Sequence, residues 1–206
     1  KVTGAPEDDG LGFSLKWNMG WMHDFTEYMK LDPLFRKGAH YQMTFSMEYA
    51  YSENYILVLS HDEVVHLKCS MINKMPGEGF DKFANLKAGY AFMMGHPGKK
   101  LLFMGQEYAQ TAEWNEGASL EWGLLEYPVH KNMQDYVKAL NRLYREHPAL
   151  YEMDYDPDGF EWINCSYQNE SMIIFLRKSR KSEETLLFIC NFDNMEHEKF
   201  RVGVPF

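Results

Sequence analysis

The segment YILVLS at residues 55–60 is an uninterrupted aliphatic and β-branched run with polar residues on both sides. Such a run is typical of a strand that is buried on both faces, as in a parallel sheet covered by helices. A second short apolar run, KKLLFMG, follows at 99–105, and residues 81–95 between them carry apolar side chains at helical spacing. The order strand, helix, strand over about 45 residues predicts a βαβ unit, and hence an α/β fold.

The helix between these two strands has recognisable ends in the sequence. Asp81 is the expected N-cap, and Gly95 is the expected last residue. Pro97 and Gly98 follow directly. They predict a type II turn, because proline fixes its own φ and glycine accepts the positive φ that such a turn requires.

Further helices are predicted on either side of this unit. Residues 13–17 indicate a short extended piece that leads into a helical region, and residues 38–51 have apolar side chains near helical spacing. Residues 131–147 form a strongly amphipathic pattern, and Pro148 ends it. The first 150 residues therefore read as one α/β domain.

The pattern changes beyond about residue 155. Three short β-rich segments are separated by polar residues: FEWINCSY at 160–167, SMIIFLRKS at 171–179 and TLLFICNF at 185–192. Short strands at this spacing are typical of antiparallel hairpins. Residues 151–206 are thus predicted to form a separate small β-domain.

Composition excludes several classes of partner. The formal net charge of −9 argues against a nucleic-acid backbone or an anionic membrane surface, whereas a neutral sugar polymer is compatible with it. Three cysteines without a CxxC spacing argue against a disulfide framework or zinc site, and they fit a reducing cytoplasm. No stretch approaches the roughly 18 apolar residues that a membrane span needs.

Polar side chains follow both predicted strands. His61, Asp62 and Glu63 come directly after the first, and Glu107 follows the second. Carboxyl ends of parallel strands supply active-site groups, so two carboxylates there could act on a glycosidic bond. The alternative is that they only cap helices and bind loop amides.

A zinc site is not expected here. His61 and His66 are five residues apart, so they would point to different sides of a helix or to opposite faces of a strand.

Several motifs together resemble those of one family. LSHDEVVH, KMPG, FANLKAGYAFMMGHPGKKLLFMGQE and EWN…SLEW, with KWNMGWMHD upstream, are similar to motifs of the bacterial 1,4-α-glucan branching enzymes. The match covers about residues 10–125. SHDE alone would indicate only the broader α-amylase superfamily, but the combination with the other motifs is more specific.

This resemblance implies a particular fold and reaction. The expected fold is the C-terminal part of a (β/α)8 TIM barrel, comprising its last three βα units, followed by a small antiparallel β-sandwich domain. Members of the family cleave an α-1,4 linkage through a covalent glycosyl-enzyme and transfer the chain to a 6-hydroxyl. No metal or organic cofactor is implied.

The resemblance also assigns roles to residues after the predicted strands. Asp62 matches the acid that stabilises the transition state, and His61 matches the neighbouring sugar contact. The family's nucleophile Asp and acid/base Glu are expected before Lys1, so the isolated chain is predicted to be inactive. Glu107 is therefore expected on the substrate side of the loop after the last strand, where it supports that loop and is not the nucleophile.

Three tryptophans are candidates for stacking on sugar rings. Trp17 and Trp21 are four residues apart and could form a rim near the cleft, and Trp114 could line an acceptor site. The alternative for each is packing in an aromatic-rich core.

The expected partners are an α-1,4-glucan and the upstream half of the barrel. Self-association is also expected, because an incomplete barrel leaves strand edges and apolar faces open. Two other functions stay open: an α-glucan hydrolase of the same superfamily, and a non-catalytic glucan-binding module.

Overall fold

Strand β2 (Tyr55–Leu59) is the centre of a three-stranded parallel sheet, with β1 (Lys16–Trp17) on one side and β3 (Lys99–Leu102) on the other. This computed structural model describes residues 1–181 and 183–205. The last three residues of β2 are at most 1% exposed. The strand is thus covered on both faces, as its continuous apolar sequence predicts.

Helices connect and cover these strands. Their bounds are Met19–Lys30 for α1, Tyr41–Thr44 for α2, Met71–Lys74 for α3, Phe80–Gly95 for α4 and Pro128–Glu146 for α5. Helix α1 lies between β1 and β2 in the chain, and α4 lies between β2 and β3. Among the described helices, none is both long and apolar enough to cross a membrane.

The sequence predicted the C-terminal end of α4 correctly but not its N-terminal end. Gly95 is the last helical residue, and Gly98 has the predicted positive φ of +106°. The N-cap prediction was wrong, because Gly79 occupies that position and Asp81 lies in the first turn. Gly79 has a φ of +48°, which side-chain-bearing residues rarely adopt, so the chain enters the helix before Asp81 is reached.

The predicted single helix over residues 38–51 is broken. Helix α2 is followed directly by a 3₁₀ segment, Phe45–Glu48. Within that segment the Ser46 hydroxyl is fully buried and lies 2.8 Å from His96 Nε2. This contact comes from a residue 50 positions away, so local periodicity could not reveal it.

A second sheet is antiparallel, in the order β4 (Phe160–Tyr167), β5 (Met172–Lys178) and β6 (Thr185–Asn191). The three strands lie within the predicted β-rich segments. The central strand β5 is buried along all but its last residue. Its run MIIFL suits a position with neighbours on both edges and both faces.

One apolar core joins the two sheets. Phe92 of α4 contacts Phe175 of β5 and Phe192 beyond β6, with ring centroids 6.1 and 5.8 Å apart. Arg177 of β5 donates a 2.7 Å hydrogen bond to the carbonyl of Gly95. The second sheet is therefore packed against α4, and the division at residue 150 stays a prediction.

Gly95→Ala should destabilise the contact between α4 and β6. An added Cβ would lie 2.5 Å from Phe188, whose ring stacks on Phe175 at a centroid distance of 5.0 Å and cannot easily withdraw. We expect a loss of about 1–3 kcal/mol in the free energy of unfolding, measured by urea denaturation. Gly38→Ala is the matched control, because nothing lies within 4 Å of its added Cβ. Equal stability of the two variants would contradict the packing.

Candidate active site at the carboxyl ends of β2 and β3

The chain turns sharply after β2 in a 3₁₀ turn, His61–Glu63, that begins from Ser60. The Ser60 hydroxyl is buried and donates a 2.7 Å hydrogen bond to Asp62 Oδ2. It also accepts a hydrogen bond from the Asp62 amide at 3.3 Å. These two bonds fix the carboxylate, whose side chain is still 42% exposed and accessible to a ligand.

His61 and Trp114 lie beside this carboxylate. His61 Nε2 is 3.6 Å from Asp62 Oδ1, and the imidazole contacts the rings of Trp114 and Phe103 at 5.7 and 5.9 Å. The Trp114 amide donates a 2.9 Å hydrogen bond to the carbonyl of Val64. The loop after β3 is thereby held against the turn after β2. Three of the predicted site residues, Asp62, His61 and Trp114, therefore share one surface.

The two upstream tryptophans differ in accessibility. Trp17 ends β1 and is 43% exposed, so it remains open to a ligand. Trp21 is 2% exposed and stacks on Phe25 at 4.8 Å, so the prediction of a sugar contact there was wrong. The two rings do not share a helical face, because Asn18 caps α1 between them.

Glu107 lines a surface that does not include Asp62. It lines a cavity of about 290 Å³ between β3, α4 and α5, together with Lys100, Leu102 and Asn141. The hypothesis that the carboxylates of Glu107 and Asp62 converge on one cleft was therefore wrong, and this position does not favour a substrate contact by Glu107. The cause is local, since left-handed residues at both ends of the Gln106–Tyr108 turn reverse the chain.

Glu63 was named with His61 and Asp62 in the sequence, but no role of its own was predicted for it. It is 4% exposed, and its carboxylate lies 3.7 Å from Lys74 Nζ, 3.4 Å from His23 Nδ1 and 4.0 Å from Lys68 Nζ. Burial lowers the pKa of Lys74. The available signal was an acid shortly after a strand, with Lys68 and Lys74 further along the chain, but the motif match pointed to the neighbouring Asp62.

The loop under this turn is held by Glu113, which follows β3. Its carboxylate accepts hydrogen bonds from the amides of Cys69 and Leu67 at 2.6 and 3.1 Å. These bonds lower the pKa of Glu113. His66, Leu67 and Cys69 all have positive φ, an unfavourable conformation for residues with side chains. The surrounding contacts therefore impose the shape of this loop.

Comparison with known proteins first defines a class. Residues 162–206 match the family described as alpha amylase, C-terminal all-beta domain. The structure is also similar to the crystal structure of an alpha-amylase from H. orenii, with a TM-score of 0.58 and 15% sequence identity. That similarity covers 88% of this chain and 39% of the amylase, and it concerns the fold alone. The fold is thus of the α-amylase type.

Closer similarity is found with curated enzymes. The chain is 60% identical to the 1,4-alpha-glucan branching enzyme GlgB of Butyrivibrio fibrisolvens over 206 residues, which is all of this chain and 32% of that enzyme. It is 55% identical to GlgB of Gloeobacter violaceus, over 98% of this chain and 28% of that enzyme. The chain therefore corresponds to one segment of the bacterial 1,4-alpha-glucan branching enzymes, and the resemblance seen in the sequence is confirmed. It spans about a third of the length of these relatives.

Proposed function

We propose that the chain is the C-terminal part of a 1,4-alpha-glucan branching enzyme. The whole enzyme would cleave an α-1,4 linkage and transfer the chain to a 6-hydroxyl, which creates an α-1,6 branch in glycogen synthesis. The observation that carries this proposal is the 60% identity to a GlgB over all 206 residues. An accessible Asp62, fixed by Ser60 at the end of a buried parallel strand, supports it chemically.

The parallel sheet would be part of a larger barrel. Strands β1, β2 and β3 pair in chain order, with helices between them, as consecutive strands of a (β/α)8 barrel do. The outer edges of β1 and β3 would pair with strands of the upstream segment. In this proposal residues 1–150 form the barrel part and 151–206 a β-sandwich domain.

Asp62 would act on the charge that develops at the sugar. Retaining cleavage passes through an oxocarbenium-like transition state between a nucleophile and an acid/base, both of which we assign to the upstream segment. Ser60 occupies one edge of Oδ2, while Oδ1 faces His61. The carboxylate is thus oriented before substrate arrives and can bind sugar hydroxyls as positive charge develops.

Aromatic and imidazole groups would complete the glucan site. His61 and Trp114 lie against each other beside Asp62, so they can hydrogen-bond and stack on the same sugar. Trp17 is a more distant stacking candidate.

Localisation in the cytoplasm is also proposed, supported by the free thiols of Cys69, Cys165 and Cys190.

A hybrid enzyme tests the function. In it, the chain replaces the 206 matching residues of the Butyrivibrio fibrisolvens GlgB. Proton NMR of amylose incubated with the hybrid should show a growing α-1,6 anomeric signal, whereas the 206-residue chain alone should give none. New reducing ends without that signal would favour the hydrolase alternative. Glucan binding without either product would favour a non-catalytic module, and signal from the chain alone would contradict our placement of the nucleophile.

The chain by itself should self-associate. In the part of the chain that the structure describes, no strand pairs with the outer edge of β1 or of β3, and the apolar side chains of Leu11 and Phe13 near β1 are 68% and 61% exposed. Size-exclusion chromatography should therefore show species larger than the monomer. Addition of the separate upstream part of the relative should convert them to a defined complex. Elution as a compact monomer would contradict this expectation.

A further inference from the structure

A buried acid stands directly beside the exposed Asp62. Glu63 is 4% exposed, and both of its carboxylate oxygens face cationic groups. Oε2 lies 3.7 Å from Lys74 Nζ, and Oε1 lies 4.0 Å from Lys68 Nζ and 3.4 Å from His23 Nδ1. The acid therefore links the turn after β2 to α1, to α3, and to the loop between that turn and α3.

Hydrogen bonds connect the two lysines to the backbone of Asp62. Lys68 Nζ donates a 2.8 Å hydrogen bond to the carbonyl of Asp62, and Lys74 Nζ donates a 2.5 Å hydrogen bond to the carbonyl of Lys68. The Lys74 side chain is 2% exposed, so its ammonium depends on the nearby carboxylate of Glu63. Glu63, Lys68 and the Asp62 backbone thus form one connected group.

This group restrains a strained loop. Residues 66, 67 and 69 all have φ between +54° and +67°, and none of them is glycine. Such a conformation persists only where surrounding contacts enforce it. Without the negative charge of Glu63, Lys68 and Lys74 would repel each other and the loop would lose one of its restraints.

We infer that Glu63 is a positioning residue for Asp62, and that with Lys68 and Lys74 it sets the backbone from which the Asp62 carboxylate meets the sugar. The inference rests on the proposed function, because it requires that Asp62 acts on a glucan. A displacement of about 1 Å in a catalytic group can cost about 100-fold in rate. The loss should appear in kcat and leave KM nearly unchanged, because it affects the transition state specifically.

Glu63→Gln in the hybrid enzyme tests this role. We expect kcat for branching to fall about 30-fold, with KM within about twofold of the original. The matched control is Glu53→Gln at the opposite end of β2. Glu53 is 9% exposed and lies 3.5 Å from Lys16 Nζ, so it is another buried, paired acid, at the far end of the strand from Asp62. It should lower the Tm without changing kcat.

Lys68→Met provides a second variant that the fold should tolerate, because the Lys68 side chain is 49% exposed. It should lower kcat to a similar degree. The double variant with Glu63→Gln should be no slower than the slower single variant, since coupled residues act non-additively. If Glu63→Gln does not fold, Lys68→Met decides the question.

The outcomes separate the two proposals. If the unmodified hybrid does not branch glucan, the proposed function fails and the inference fails with it. If the hybrid branches and Asp62→Asn does not, an unchanged kcat in Glu63→Gln or in a folded Lys68→Met overturns only the positioning role. Multiplying effects in the double variant would overturn it as well.

Discussion

Asp62→Asn should lower the branching rate of the hybrid enzyme by about a thousandfold while the protein remains folded. The amide has nearly the same shape and can still accept the hydrogen bond from Ser60, which is 2.7 Å long in the structure. It lacks the negative charge that would stabilise an oxocarbenium-like transition state. The initial growth of the α-1,6 anomeric signal and the Tm should be measured on the same preparation.

Asp135→Asn is the control for this change. Asp135 lies on α5 with its side chain 55% exposed, and it pairs with Lys131 one helical turn away at 3.0 Å. The same chemical substitution there should leave the rate unchanged. If Asp62→Asn retained more than about a tenth of the original rate, the carboxylate would not have the proposed role.

Much of the fold could be predicted from the sequence because local patterns determine most elements. The apolar run at 55–60 predicted β2, and the three predicted β-rich segments contain β4, β5 and β6. Predictions failed where a distant contact or one backbone angle decided the outcome. Ser46 binds His96 and the predicted helix breaks, while Gly79 takes a positive φ and displaces Asp81 from the N-cap.

The position of a candidate site residue along the chain could be predicted from a motif, but the surroundings of its side chain could not. His61 and Asp62 come just after β2, as the strand end predicts, while their role in a glucan site stays a prediction. Glu107 also follows its strand, but β3 ends at Leu102, and the turn at Gln106–Tyr108 places Glu107 beside α4 and α5. The arrangement around Glu63 depends on lysines up to 11 residues further along the chain, and no periodicity encodes it.

Asp154→Asn should lower the free energy of unfolding of the 206-residue chain by about 3–5 kcal/mol, the usual cost of breaking a buried ion pair. Asp154 is 2% exposed and accepts hydrogen bonds from Arg177 Nη2 and Lys99 Nζ, each at 2.9 Å. Tyr144 donates a third at 2.8 Å. These partners come from β5, β3 and α5, so the variant loosens the junction of the two sheets.

The same carboxylate should make this junction sensitive to acid. Burial raises the pKa of Asp154, but the charges of Lys100 and Arg177 outweigh it and hold the pKa below its usual value. A carboxyl with a depressed folded-state pKa stabilises the fold fully above its unfolded pKa of about 3.9. That contribution is lost as the pH falls through the folded value. The stability of Asp154→Asn should therefore depend less on pH in the acid range.

Urea denaturation at matched protein concentration and several pH values measures both effects. Asp158→Asn is the control, because Asp158 is 81% exposed and lies 3.8 Å from Arg180. It should change stability by less than about 0.5 kcal/mol.

Arg177→Met should lower the free energy of unfolding as much as Asp154→Asn does, because it leaves the carboxylate buried beside one fewer cation. The double variant should cost less than the sum of the two single changes, since each removes the same pair. Strictly additive costs would mean that Asp154 and Arg177 stabilise the junction independently.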